Sequence, residues 1–248
     1  MKQIYAFETK EEYEKYQNLI ERFNERIKEY QLILEKNFEL KNLPKAIVWT
    51  SEELATTVFS NIPIPAFTNK DIIYFSPDLS KWRSLFIKQL DGIKNDKIEK
   101  FYANMSENQL FTIVGHEITH HSELFVDEFD DEREDSIWFE EGMCDYLSRK
   151  FILSEREFNE IANVEIELVD LFKDKYGSHS LDDFGNASYQ GSLTSIMFDY
   201  WRSFLTVKYL VEEKAYDIGH IFKEYHIWHN EGRKKSLTEF FEVETLFK

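Results

Sequence analysis

Ser106-Glu107-Asn108-Gln109-Leu110-Phe111-Thr112-Ile113-Val114-Gly115-His116-Glu117-Ile118-Thr119-His120 is the stretch that decides how this chain is read. Ser106, followed three residues later by Gln109, has the form of a capping box and predicts a helix start. Leu110, Phe111, Ile113 and Val114 carry that helix into the histidine pair. His116 and His120 then stand one turn apart on one face, so both imidazoles can reach one metal ion. Glu117 projects beside the same point, where a carboxylate can take a proton from water.

Upstream of this helix the periodicity changes twice. Tyr13, Tyr16, Ile20, Phe23, Ile27, Tyr30 and Leu34 recur at spacings of three and four, which predicts one long amphipathic helix from Glu11 to Phe38. Leu43-Pro44 ends it. Ala46–Thr50 and Asp71–Ser76 read as short strands, with a helix start at Ser51 between them and an extended, proline-rich stretch from Ile62 to Phe67. From Ser80 onward the patterns are helical, over about 136–151, 155–176, 189–213, 218–230 and 236–247. The fold class expected is α+β, predominantly helical, with a small N-terminal sheet ahead of a helical lobe. It is read as one domain over 1–248: a helical extension at 1–45, a sheet lobe at 46–105 and a helical metal-binding lobe at 106–248.

Two histidines do not complete a metal site. A catalytic zinc needs a third protein ligand and one open position for water. Glu140 and Glu141, in Trp138-Phe139-Glu140-Glu141-Gly142, are the candidates. Their distance from His120 leaves room for a loop and a second helix that returns beside the first.

The segment Trp138-Phe139-Glu140-Glu141-Gly142-Met143-Cys144-Asp145-Tyr146 resembles the W-L-x-E-G-x-x-x-Y run of gluzincin metallopeptidases, a group that includes thermolysin-like enzymes and zinc aminopeptidases. With H-E-x-x-H this is the specific part of a likeness that extends over roughly residues 46–247. The resemblance implies Zn²⁺ held by His116, His120 and Glu141, with Glu140 the runner-up, and Glu117 as general base. It also implies that Asp145, one turn beyond Glu141, orients His116; a ligating histidine usually gives its other N–H to such a group. The helix from Tyr200 to Glu212 resembles one that follows the zinc site in the family, and the resemblance implies that Tyr200 donates to the oxyanion. Tyr189 is the rival for that role, and His179, His220, His226 and His229 are further donors to consider. No G-x-M-E-N strand precedes His116, so aminopeptidase activity is not implied. The strand Ile72–Phe75 is a candidate to bind an extended peptide by edge pairing, and equally a candidate buried strand.

Composition limits the function classes. The 248 residues carry a net charge of −17, which argues against nucleic acid and anionic membranes as partners. No apolar run approaches membrane-spanning length. MKQIYAFETKEEYEKYQ has no apolar h-region or cleavage pattern, so the cytoplasm is the expected address. Cys144 is the lone cysteine, read as a small buried residue. His121 reads as a packing neighbour of the site, and the acidic run from Asp127 to Asp135 as a solvated loop without EF-hand order. The expected function is a zinc-dependent peptidase acting on peptides or proteins. The alternative is a binding or regulatory protein that keeps the fold with little activity.

Overall fold

A computed structural model describes residues 1–129, 135–185, 189–214 and 217–247. The chain is a predominantly helical α+β protein with a four-stranded N-terminal sheet. It divides into two compact units, Met1–Glu123 with Phe151–Leu153, and Leu124–Lys150 with Ser154–Lys248.

The first unit opens with strand β1 (Lys2–Ala6), which the sequence had not shown, so residues 1–45 are not a purely helical extension. Helix α1 (Lys10–Asn37) follows, capped by the Thr9 side chain. It returns the chain to β2 (Ala46–Thr50), which pairs in parallel with β1. The short helix α2 (Glu52–Thr57) leads to β3 (Ala66–Thr68) and β4 (Ile72–Phe75). The strand order β1-β2-β4-β3 places β4 between two partners, parallel to β2 and antiparallel to β3. Of the two readings of Ile72–Phe75, the inner strand holds and the edge strand does not: both sides of that strand are already paired, and β3 is the outer strand at that end.

Helices α3 (Leu79–Lys88) and α4 (Asp96–Ala103) precede α5 (Glu107–Thr119). The α5 helix packs with the sheet and α1, so a lobe boundary near residue 105 does not follow the packing. Phe23 of α1 meets the edge of Phe111 at 5.0 Å between ring centroids, and also touches Trp49 and Phe75 of the sheet. Tyr30 shares a 2.8 Å hydrogen bond with Thr119 at the far end of α5. The long amphipathic face of α1 thus fixes the helix that carries the histidines.

The second unit contains α6 (Ile137–Ile152), α7 (Glu155–Tyr176), a 3₁₀ turn at Leu181–Asp183, α8 (Leu193–Glu212), α9 (Ile218–Asn230) and α10 (Leu237–Phe240). Two expected helices are shorter than read. The α8 helix starts after Ser192, whose side chain accepts from Ser195 N–H, so Tyr189 lies ahead of it. The α10 helix stops early, because Glu242 takes a left-handed conformation at φ 57°. No helix among the described residues is long and apolar enough to cross a membrane.

Candidate metal centre

The capping box expected at the start of α5 is formed in both directions. Gln109 N–H donates to Ser106 Oγ at 3.2 Å, and Ser106 N–H donates to the Gln109 side chain at 2.7 Å. From there nearly every residue to Thr119 is buried, including His116 and Glu117. His120 closes the helix, its N–H donating to His116 O. The His116 and His120 rings stand at 73° with centroids 4.8 Å apart, and their Nε2 atoms are 3.1 Å apart.

Glu141 is a buried residue of α6. Its neighbour Gly142 explains why that stretch needs glycine. A Cβ there would lie 2.4 Å from the Ser203 carbonyl oxygen of α8, so the absent side chain lets the two helices approach closely. Trp138, at the start of α6, is pinned by its indole N–H to Asp182 at 3.1 Å. Cys144, the one cysteine of the chain, is fully buried.

Among the described residues, His116, His120 and Glu141 form the group able to hold a metal ion. One ligand atom from each lies within 4.8 Å of the others, and all three residues are buried. Glu140, also buried, is not in that group. The donor set fits zinc, which takes histidine nitrogen and carboxylate oxygen. The two imidazoles are spaced for a shared ion, since tetrahedral ligands at about 2.0–2.1 Å stand roughly 3.3 Å apart.

His121 is not a ligand in this group. Burial, then the neighbouring His120, pushes its imidazole down to about 3, so it is neutral. Its Nε2 lies 2.8 Å from Thr68 Oγ1 on β3.

Asp145 pairs with Arg149 at 3.0 Å, and Arg149 also holds the buried Glu165 at 2.9 Å. Burial pushes the Glu165 carboxyl up, with Asp145 adding to the rise and Arg149 opposing it. An ion network thus holds Asp145: its pair with Arg149 is a local i,i+4 contact on α6, and Glu165 joins from α7.

Tyr189 and Tyr200, rivals in the sequence, are partners in the structure. Their hydroxyls share a hydrogen bond at 3.0 Å, and Phe184 packs on both rings. Next to Tyr200, the fully buried Asp199 binds His179 Nε2 at 2.9 Å and Arg202 at 3.2 Å. The bond to Asp199 raises the affinity of His179 for its proton. Of the other histidines, His226 binds Leu124 O at 2.7 Å, His229 accepts from Arg233, and His220 approaches Glu224 at 4.0 Å.

The acidic run is partly corrected. Arg233 binds both Asp127 and Asp135, and Ser136 donates to Asp127, whose side chain is only 7% exposed. Both residues are therefore tied into an ion cluster, with Asp127 buried and Asp135 half-exposed; Asp130, Asp131, Glu132 and Glu134 lie outside the described residues. Neither protein-family models, curated proteins nor solved structures yield a match to this chain.

Proposed function

We infer that the chain is a zinc-dependent peptidase of gluzincin type, acting on peptides or proteins in the cytoplasm. The observation that carries this reading is the convergence of His116, His120 and Glu141, with Glu117 on the same helix as the two imidazoles. Three protein ligands leave a fourth position free, which is the arrangement of catalytic and not structural zinc. Zinc held there supplies Lewis acidity, polarising a carbonyl and lowering the pKa of water toward about 7.

The chain's own residues account for the proton movements. Glu117 takes a proton from the attacking water as its oxygen adds to the peptide carbonyl carbon. It returns that proton to the nitrogen as the C–N bond breaks. Tyr200 donates from its hydroxyl to the developing oxyanion, with Tyr189 holding that hydroxyl. Asp145 fixes the ring of a ligating histidine. The −17 charge disfavours nucleic acid and anionic membranes as partners. An extended peptide has β3 as its edge for strand pairing.

The test is hydrolysis of denatured casein and of a mixed peptide library by zinc-loaded protein. Cleavage is expected, lost with a chelator and regained with added zinc. Zinc-replete, folded protein that cleaves nothing would sink the reading and favour a binding role.

The hydroxyl pair gives a sharper expectation. Tyr200→Phe keeps the ring against Phe184 and removes only the donor. It is expected to lower kcat on the order of 10²-fold with KM nearly unchanged. Tyr189→Phe removes only a support and costs less, and the double variant is no slower than Tyr200→Phe alone. A larger loss in Tyr189→Phe would give the donor role to Tyr189.

A further inference from the structure

The ladder between β3 and β4 decides which groups of the outer strand remain for a partner. Asn69 N–H donates to Ile72 O at 3.0 Å, and Ser76 N–H donates to Pro65 O at 2.9 Å. Phe67 and Tyr74 sit between these bonds and form the next hydrogen-bonded pair in the register. Ala66 and Thr68 therefore turn their N–H and C=O groups away from β4, toward the outer side. Strand β3 has three residues, and only one flank of it is held by a ladder. A strand so short has little of its own to fix its register.

The Thr68 side chain supplies the missing restraint. Its Oγ1 lies 2.8 Å from His121 Nε2 and 3.1 Å from Asn69 O, so it can accept from the imidazole and donate to the carbonyl. His121 is 7% exposed and directly follows His120, where α5 ends. Its other neighbours include Ser122, whose hydroxyl is tied to Phe38 O at the end of α1. The backbone that carries the imidazole thus follows directly on α5 and is tied to the end of α1 at the next residue.

We propose that His121 and Thr68 form a positioning pair that sets the edge strand β3 against the metal-binding end of α5, and so fixes the register of an extended peptide laid along β3. The proposal rests on the peptidase reading for its ligand. The ligand class is a peptide in β conformation, recognised first by its backbone through the outward N–H and C=O of the half-buried Thr68, Ala66 being only 6% exposed. Residues of that peptide would alternate between the Thr68 face of the strand and the opposite face, where Phe67 stacks on Tyr74 at 4.6 Å and Phe59 lies tilted against Tyr74 at 4.9 Å. Neither His121 nor Thr68 is assigned any step of the reaction.

The test compares Thr68→Val, which is nearly isosteric and lacks the hydroxyl, with Thr68→Ser, which keeps it. Both are made in the full zinc-loaded chain. Hydrogen exchange at the Asn69, Tyr74 and Ser76 amides reads strand order, and zinc content reads the metal site. The probe ligand is a fluorescein-labelled hexapeptide rich in Val and Thr, chosen for its β preference. Thr68→Val is expected to weaken its binding and to lower exchange protection by about fivefold each, the worth of one neutral hydrogen bond. Zinc content and kcat stay unchanged while KM rises, and Thr68→Ser restores all of these. Equal binding and protection in Thr68→Val and wild type would overturn the proposal. So would a fall in kcat at constant KM, or wild-type protein that does not bind the peptide. Absence of hydrolysis in the wild type counts against the peptidase reading alone, because binding and exchange still decide for or against the pair.

Discussion

Glu141→Ala and His116→Ala are each expected to strip the purified chain of its metal, from about one zinc per wild-type chain to roughly a tenth of that or less. The reason is the donor count. His116, His120 and Glu141 are the three protein groups gathered for the ion, and removing one leaves two, below the number a catalytic site keeps. Alanine is the right replacement at 141, because it has the highest helix propensity and leaves Gly142 and its close approach to Ser203 intact. Glu140→Ala is the matched control. Glu140 is as buried as Glu141 but stands outside the ligand group, so this variant is expected to keep its zinc. Elemental analysis of protein purified without an affinity tag, with circular dichroism to confirm folding, reads all three. Full zinc in Glu141→Ala would remove the third ligand; loss in Glu140→Ala alone would move it by one residue.

What could be read from the sequence was what is local. The α5 helix was legible because a capping box, an apolar run and two histidines one turn apart all state the same structure. The β2 and β4 strands were legible as short apolar runs bounded by turn residues. Strand β1 was not, for a physical reason. Ile4 and Tyr5 are both more than 40% exposed, so Lys2–Ala6 lacks the alternation of a half-buried strand. Its order comes from parallel pairing with β2, whose partner residues lie beyond a long helix. The same holds for β3, which follows Pro63 and Pro65 and exists as a strand only through its register with β4.

The site divides along the same line. The two histidines of the group able to hold a metal, and the glutamate proposed as general base, were visible because H-E-x-x-H fixes their spacing on one helix. The polar partners were not. Thr68 with His121, Tyr189 with Tyr200, His179 with Asp199, and Arg233 with Asp127 and Asp135 join loops or helices whose meeting no periodicity describes. Tyr189 and Tyr200 show the cost of reading residues singly. As sequence positions they compete for one role, whereas as hydrogen-bonded hydroxyls they belong to one device, and a variant of either perturbs both. The ion cluster at Arg233 shows the converse: a run of acidic residues suggests solvent until its distant cation is placed.

Glu117→Gln is expected to retain zinc and fold while losing turnover by about 10²–10⁴-fold, the range for removal of a general base. The amide is nearly the same size as the carboxylate, so the buried position on α5 is kept, but it cannot take up a proton at working pH. Both proton movements proposed for the reaction pass through this one side chain, from water to carboxylate and from carboxylate to the leaving nitrogen. Loss of either is enough to stop turnover, and KM should move little, because the group is needed for the transition state and not for holding the substrate. Glu117→Asp separates chemistry from charge. It keeps a carboxylate but shortens the side chain by one methylene, and it should fall between wild type and Glu117→Gln if reach to the water matters. The measurement is kcat and KM on one cleaved peptide at fixed zinc occupancy. Turnover in Glu117→Gln equal to wild type would exclude Glu117 as the base, even if the three ligands hold zinc as expected. A loss of zinc in the same variant would instead make Glu117 part of the metal's own environment, and the loss of activity could then no longer be assigned to proton transfer.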